Sequence, residues 1–136
     1  MARSLASKIE EANSVLMIKG DLNAIGEFFT PDYVVHLTGK DMTGGYRAIR
    51  RLLHVYRRAF SDLLVDVEIL VKAKDRVAWQ RTVRATHKGD FRGFPATGRR
   101  IVWRDMVTSR FHDGRIAEDW LITDLAERLL LARKRQ

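Results

Sequence analysis

The feature that most constrains this chain is a change of hydrophobic period at Ser61-Asp62. Before it, apolar residues recur at helical spacing. Beyond it, they alternate with polar ones, as half-buried strands require. Leu5, Ile9, Ala12 and Leu16 mark an amphipathic helix that ends near Gly20. Asp21 is placed to cap a short second helix carrying Leu22, Ile25, Phe28 and Phe29, which Pro31 stops. The β-branched and aromatic run 33–37 predicts a short strand, and the Gly-containing segment 38–45 a loop. Residues 46–60 form the clearest helical pattern. Four strands follow at 64–73, 77–87, 100–111 and 116–123. Lys74-Asp75-Arg76 and Asp113-Gly114 are tight turns, residues 88–98 a longer loop, and residues 125–136 a terminal helix. Helices followed by a run of antiparallel strands predict an α+β fold, with helices covering one face of a curved sheet. At 136 residues and 46% apolar, the chain suits one domain spanning residues 1–136 with its own core.

The absence of Cys removes disulfide frameworks, thiolate metal sites and Cys nucleophiles. No apolar run reaches the ~20 residues needed to span a bilayer. Lys8, Glu10 and Glu11 come before any signal-like apolar stretch, so a soluble, cytoplasmic protein is expected. The net charge of +8 invites a nucleic-acid reading. Much of that charge lies on helix 46–60, where Arg47, Arg50, Arg51, His54, Arg57 and Arg58 oppose Ile49, Leu52, Leu53, Tyr56 and Phe60. No aromatic residue interleaves with the arginines, so a solvated face is favoured over a polyanion-binding stripe. The sequence has no G-x-G-x-x-G after a strand, no phosphate loop, no G-x-S-x-G elbow and no H-E-x-x-H. The four His (36, 54, 87 and 112) are scattered, so neither metal nor nucleotide cofactor is expected. The chemistry left is acid–base work by Asp or His side chains.

The last hairpin brings the candidate residues together. With Asp113-Gly114 as a two-residue turn, uninterrupted pairing sets Phe111 against Ile116, Ser109 against Glu118 and Val107 against Trp120. One face then presents Trp103, Asp105, Val107, Ser109 and Phe111 beside Ile116, Glu118, Trp120, Ile122 and Asp124. Apolar walls with a few converging carboxyl groups fit a cavity for an aromatic ligand. Asp124 also precedes Leu125, where it is equally suited to cap the terminal helix. A one-residue slip of register would exchange every facing assignment. On the preceding strand Val77, Trp79, Arg81, Val83, Ala85 and His87 share the inward parity. His36 shares a face with Val34, opposite the more apolar Tyr33, Val35 and Leu37.

In order along the chain, several segments resemble the SnoaL-like polyketide cyclases of the NTF2-like superfamily. They are Gly20-Asp21, the run 32–36, Ala59-Phe60-Ser61-Asp62-Leu63, Thr86-His87-Lys88-Gly89 with Pro95, Thr97 and Gly98, and Asp113-Gly114-Arg115-Ile116-Ala117-Glu118 with Trp120 and Asp124. Together they cover roughly residues 8–128. The resemblance implies a cone-shaped, highly curved antiparallel sheet wrapped on N-terminal helices, an internal pocket, and a homodimer or higher homo-oligomer. It also implies cofactor-free aldol closure of a polyketide ring, with Asp124 as the acid–base residue. Asp119 stands where many relatives have His. Burial beside Trp103 and Trp120 would raise the pKa of such a carboxylate, and His36, His87 or Arg81 would supply donors to a developing enolate. Glu118, Ser109, Asp105 and Phe111 complete the expected substrate-binding set. The expected partner is a hydrophobic, carbonyl-rich and aromatic small molecule. The competing readings are a non-catalytic binding module of the same fold and, more remotely, polyanion binding.

Overall fold

The structure, a computed structural model, describes residues 4–134. Helix α1 (Leu5–Ala12) runs directly into a π-helical turn, Asn13–Ile18. A 3-10 turn (Leu22–Ala24) and the short α2 (Ile25–Phe28) lead into β1 (Phe29–Leu37) and β2 (Lys40–Met42). Then come α3 (Gly45–Ala59), β3 (Phe60–Lys72), β4 (Arg76–His87), β5 (Arg100–His112), β6 (Arg115–Thr123) and α4 (Leu125–Lys134). The fold is α+β, as its period change predicts.

The six strands form one sheet in the order β2-β1-β6-β5-β4-β3. Neighbours are antiparallel except β1 and β6, which are parallel, so the sheet is mixed and not wholly antiparallel as expected. Periodicity within strands carries no information about which strand pairs with which, and the sheet closes by β6 coming to lie between β5 and β1. Two local differences have physical causes. Pro31 does not end α2 but lies inside β1, where the β1–β6 ladder is interrupted between Phe29 and Val34 and no N–H is missed. The segment expected as loop 38–45 contains β2, a three-residue strand closing a tight hairpin onto the edge of β1.

Burial alternates strictly along β5. Ile101, Trp103, Asp105, Val107, Ser109 and Phe111 face the helices, while Val102, Arg104 and Met106 face away. The helices bring Ile9, Leu16, Ile49 and Leu53 onto that inner face, forming the core with Val77, Val83 and Trp103. The basic side of α3 is solvated as the sequence predicts, with Arg47, Arg50, Arg51, His54 and Arg58 exposed. Arg57 instead turns back and donates to the Met17 carbonyl at 2.7 Å, tying α3 to the end of the π-helical turn.

The start of α3 depends on Gly45. Its φ is +57°, and a Cβ there would stand 2.0 Å from the Pro31 carbonyl oxygen. Backbone cannot yield as a flexible side chain can. Gly45→Ala is therefore expected to destabilise the fold by roughly 2 kcal/mol or more, measured by urea unfolding. Unchanged stability would contradict this packing of α3 on β1.

Candidate active site

The Asp113-Gly114 turn forms as expected, with both residues at positive φ (50° and 78°) and Phe111 opposite Ile116. The pairing then shifts. Arg110 faces Glu118, Ser109 faces Asp119, Thr108 faces Trp120 and Val107 faces Leu121. Ala117 is the extra residue of a β-bulge, and Ile116 and Ala117 are consecutively buried. Beyond it, β6 is reversed relative to the uninterrupted register. Asp119 and Leu121 face the helices, whereas Glu118, Trp120 and Ile122 face away. The expected alignment of Ser109 with Glu118 and Val107 with Trp120 is thereby corrected: one added residue exchanges the two faces.

Asp119 is only 7% exposed and closes a network of hydrogen bonds. Tyr33, on β1, donates to its Oδ2 at 2.6 Å. Ser109, on β5, donates to its Oδ1 at 2.5 Å. The direction of the second bond is fixed by Trp79, whose Nε1 donates to Ser109 Oγ at 2.9 Å and can only donate. The single Ser109 proton is thus left for Asp119. Burial raises the Asp119 pKa above the usual carboxylate value, although the Ser109 and Tyr33 hydrogen bonds and the nearby Arg81 pull against it. Burial, and then the adjacent carboxylate, hold the Tyr33 phenol well above its ordinary value, so it remains a donor.

Asp119 and Arg81 line an internal cavity of about 100 Å³, walled by residues such as Leu16, Tyr33, Leu53, Tyr56 and Trp79. Arg81 is anchored on both sides. Its Nε donates to Asp105 Oδ2 at 2.6 Å, and a terminal nitrogen donates to Asn13 Oδ1 at 2.9 Å. Burial opposes the guanidinium charge, but the Asp105 carboxylate outweighs it and the arginine stays protonated. Asn13 opens the π-helical turn, and its amide also donates to the Ile9 carbonyl at 2.8 Å. The local widening of the helix thus sets a polar side chain into an apolar wall. A second void of about 250 Å³ adjoins the first through Leu37, Leu52, Tyr56 and Leu121. Its outer wall is the Phe91–Phe94 turn and the start of α4.

The expected site residues divide between these surroundings. Arg81, Asp105 and Ser109 face inward: Ser109 bonds Asp119, while Asp105 holds Arg81, which lines the same cavity. Trp103 and Phe111 also face inward, but they are core residues that line neither void. Trp103 packs on Phe60, with ring centroids 4.7 Å apart. His87 is fully buried against Phe60, lines neither void, and accepts from the Thr97 backbone N–H through Nδ1 at 3.3 Å. Burial lowers its pKa, so it serves as a neutral anchor for the 88–98 loop. Asp124 lies outside the cavity. Its Oδ1 accepts from the Arg104 backbone N–H at 2.8 Å, and its Oδ2 pairs with Arg128 at 3.1 Å. Its backbone carbonyl accepts the first bond of α4 from the Arg128 N–H, but the side-chain acceptor at the helix start is Thr123, whose hydroxyl accepts from the Leu125 N–H at 3.2 Å.

His36, Glu118 and Trp120 lie together on the outer face. His36 bridges Glu118 Oε2 at 2.6 Å and Asp41 Oδ1 at 2.8 Å, and stacks on Trp120. Glu118 also accepts from Arg110 at 3.0 Å, and Arg76 covers the Trp120 ring. The hydrogen bond to Glu118, then that to Asp41, raises the His36 pKa, and the same contact lowers that of Glu118. This cluster has no access to the cavity. The sequence reading missed Asp119, Tyr33, Asn13 and Tyr56 as site residues. The available signal for Asp119 was the adjacent pair Ile116-Ala117, two apolar residues in a row where strict alternation allows one. Among the described residues, no three His, Asp or Glu side chains converge to hold a metal ion. Nor is any helix among them long and apolar enough to cross a membrane.

The model of a family described as SnoaL-like polyketide cyclase matches residues 8–130. Three solved structures are similar over nearly the whole chain. IdmH, a proposed polyketide cyclase from Streptomyces antibioticus, is 28% identical with a TM-score of 0.80, covering 97% of this chain and 99% of its own. A proposed polyketide cyclase from Acidithiobacillus ferrooxidans is 25% identical with a TM-score of 0.85, covering 98% and 99%. AclR, a proposed hydroxylase from Streptomyces galilaeus, is 30% identical with a TM-score of 0.75, covering 96% and 98%. A search of curated proteins finds no match.

The outer cluster gives a pH prediction. His36 should titrate above 6.5 by NMR, and Glu118→Gln should bring it down. The stabilisation from this pairing is fully present below 6.5 and is lost as pH rises through the folded-state value. The stability difference between the native chain and Glu118→Gln should therefore narrow with rising pH. A His36 that titrates at or below 6.5 would contradict the bridge.

Proposed function

The chain belongs to the SnoaL-like polyketide cyclase family, and on that premise we propose that it is a cofactor-free acid–base enzyme acting on a hydrophobic, carbonyl-rich, polyketide-like molecule. The observation that carries the reading is Asp119, a carboxylate buried at the wall of an apolar cavity and steadied by two hydroxyl donors. A carboxylate has about four acceptor positions, so two donors leave room for an incoming proton. Desolvation makes Asp119 a stronger base than an exposed aspartate, which brings its pKa closer to that of an acidic carbon between two carbonyls.

In the proposed reaction Asp119 removes a proton from that carbon. The resulting enolate attacks a second carbonyl of the same molecule and closes a ring. The protonated Asp119 then returns its proton to the new alkoxide, so no proton is gained or lost overall. Arg81 lines the same cavity and supplies a fixed positive charge near the developing oxyanion. Tyr33 and Ser109 hold the carboxylate in one orientation. The same groups would also serve a simpler proton transfer, an isomerisation in which the enolate is reprotonated elsewhere. The inner void is too small for a fused-ring molecule by itself, so the substrate extends into the adjoining void. Two copies of the chain would associate through the outer sheet face, where Met106 and Ile122 stand opposite each other and are 46% and 67% exposed.

The test is cyclisation of a fused-ring aromatic bearing a 1,3-dicarbonyl side chain and, on the ring, a further ketone or aldehyde for the enolate to attack, followed by absorbance. Asp119→Asn should lower kcat by about 10²–10⁴-fold, whereas Asp124→Asn should leave it within about threefold. Since the basic form is the active one, the rate should rise with pH through the elevated Asp119 pKa, with the acid limb lying above 3.8. Full activity in Asp119→Asn would overturn the assignment. Tight binding of such molecules without turnover would move the reading to a binding module.

A further inference from the structure

The entrance to the cavity carries features that proton transfer at Asp119 does not use. The loop 88–98 contains a two-residue turn in which Phe91 and Phe94 exchange both backbone hydrogen bonds, at 2.9 and 2.8 Å. The two central residues are Arg92 and Gly93, at φ 43° and 88°. Two positive φ values in sequence mark the mirror-image turn that Asn-Gly or Gly-Gly adopts without strain. An arginine at the first position is held in a backbone region that bulky side chains avoid. Strain of this kind is kept where the side chain has a use.

Arg92 is placed to have one. The turn is anchored by Phe91, which is buried and packs on Tyr56 and Phe60. Arg92 lies against the Phe91 ring and is the sole charged residue among the described residues lining the outer void. It forms no ion pair with any of them. One step further in stands Tyr56, on α3. Its ring packs on Phe91 and Trp103, and it lines both voids, while its hydroxyl has no hydrogen-bond partner among the described residues. Burial, and then the Asp105 carboxylate, raise the Tyr56 pKa, so this phenol is a persistent donor. Arg92 is exposed and lines only the second void, Tyr56 lines both, and the buried Asp119 lines only the first, so the order from solvent inward is Arg92, Tyr56, Asp119.

We propose that Arg92 and Tyr56 form a carboxylate-binding subsite at the entrance, so that the molecule taken up carries a free acid group at the end that stays outermost. A guanidinium with an open face and a phenol donor together suit a carboxylate, which accepts from both. The buried Asp119 carboxylate enforces the orientation, because a second anion beside it would be repelled in a poorly solvated cavity. The chain's +8 charge favours the approach of an anion as well. The orientation relative to the reacting carbon rests on the acid–base reading of Asp119; the preference for an acid does not.

The experiment compares 2-anthracenecarboxylate with its methyl ester, two probes of the same shape that differ in charge, by fluorescence titration of the full chain at low salt. The native chain should bind the acid about tenfold more tightly than the ester. Arg92→Gly, which relaxes the turn and so folds at least as well, should abolish that preference. Tyr56→Phe should weaken acid binding severalfold. Asp119→Asn should keep the preference while losing cyclisation, which separates failure of the subsite from failure of the proton-transfer assignment. Equal affinities in the native chain, a preference untouched by Arg92→Gly, or no binding of either probe would each overturn the subsite.

Discussion

One extra residue in a strand, Ala117, decides which carboxylate faces the interior. The Asp113-Gly114 turn fixes the register at its own end, and without a bulge Glu118, Trp120 and Ile122 would point at the helices. With the bulge, Asp119 arrives opposite Ser109 and within reach of Tyr33 on the other neighbouring strand. The remaining polar structure of the interior follows from that placement. Trp79 orients Ser109, Ser109 and Tyr33 orient Asp119, and all three donors come from the strands and not from mobile loops. A buried charge without such partners would cost several kcal/mol, so the donors are a condition of the carboxylate being there at all.

The second buried charge, Arg81, ties the two layers of the fold together. It spans from Asp105 on the sheet to Asn13 on the N-terminal helix. Removing one member of such a pair typically costs about 3–5 kcal/mol, because the other is left charged and unpaired. The same pair holds a positive charge at the cavity wall, in the same cavity as Asp119. Asp105 Oδ1 and Trp103 Nε1, two residues apart on the inner face of β5, have no hydrogen-bond partner among the described residues.

Much of the fold was legible because it is written in local periodicity. The four long strands, helix α3 with its basic outer side, and the Asp-Gly turn all follow from spacing and turn chemistry. The inward parity of Trp103, Asp105 and Ser109 on β5, and of Arg81 and His87 on β4, was equally readable. What failed depends on pairing between distant segments. The parallel contact of β1 with β6 has no local signature. On β6 the pattern misleads, since Trp120 and Ile122 form a more apolar set than Asp119 and Leu121 and still face outward. Asp124 was therefore drawn into the cavity by its apolar neighbours, when its side chain in fact accepts from the Arg104 backbone N–H and pairs with the Arg128 guanidinium at the start of α4.

The central claim is that the Ala117 bulge turns Asp119 into an apolar interior, and the carboxyl group itself can report on that. Titration of the native chain and of Asp119→Asn by carbon-13 NMR of aspartate side-chain carboxyls isolates one resonance. An inward, desolvated Asp119 gives a midpoint above 3.8, with a shift that disappears in the variant. A midpoint at or below 3.8 that Ser109→Ala and Tyr33→Phe leave unmoved would mean that the group faces water and not its two hydroxyl donors, and the interior site described here would not exist.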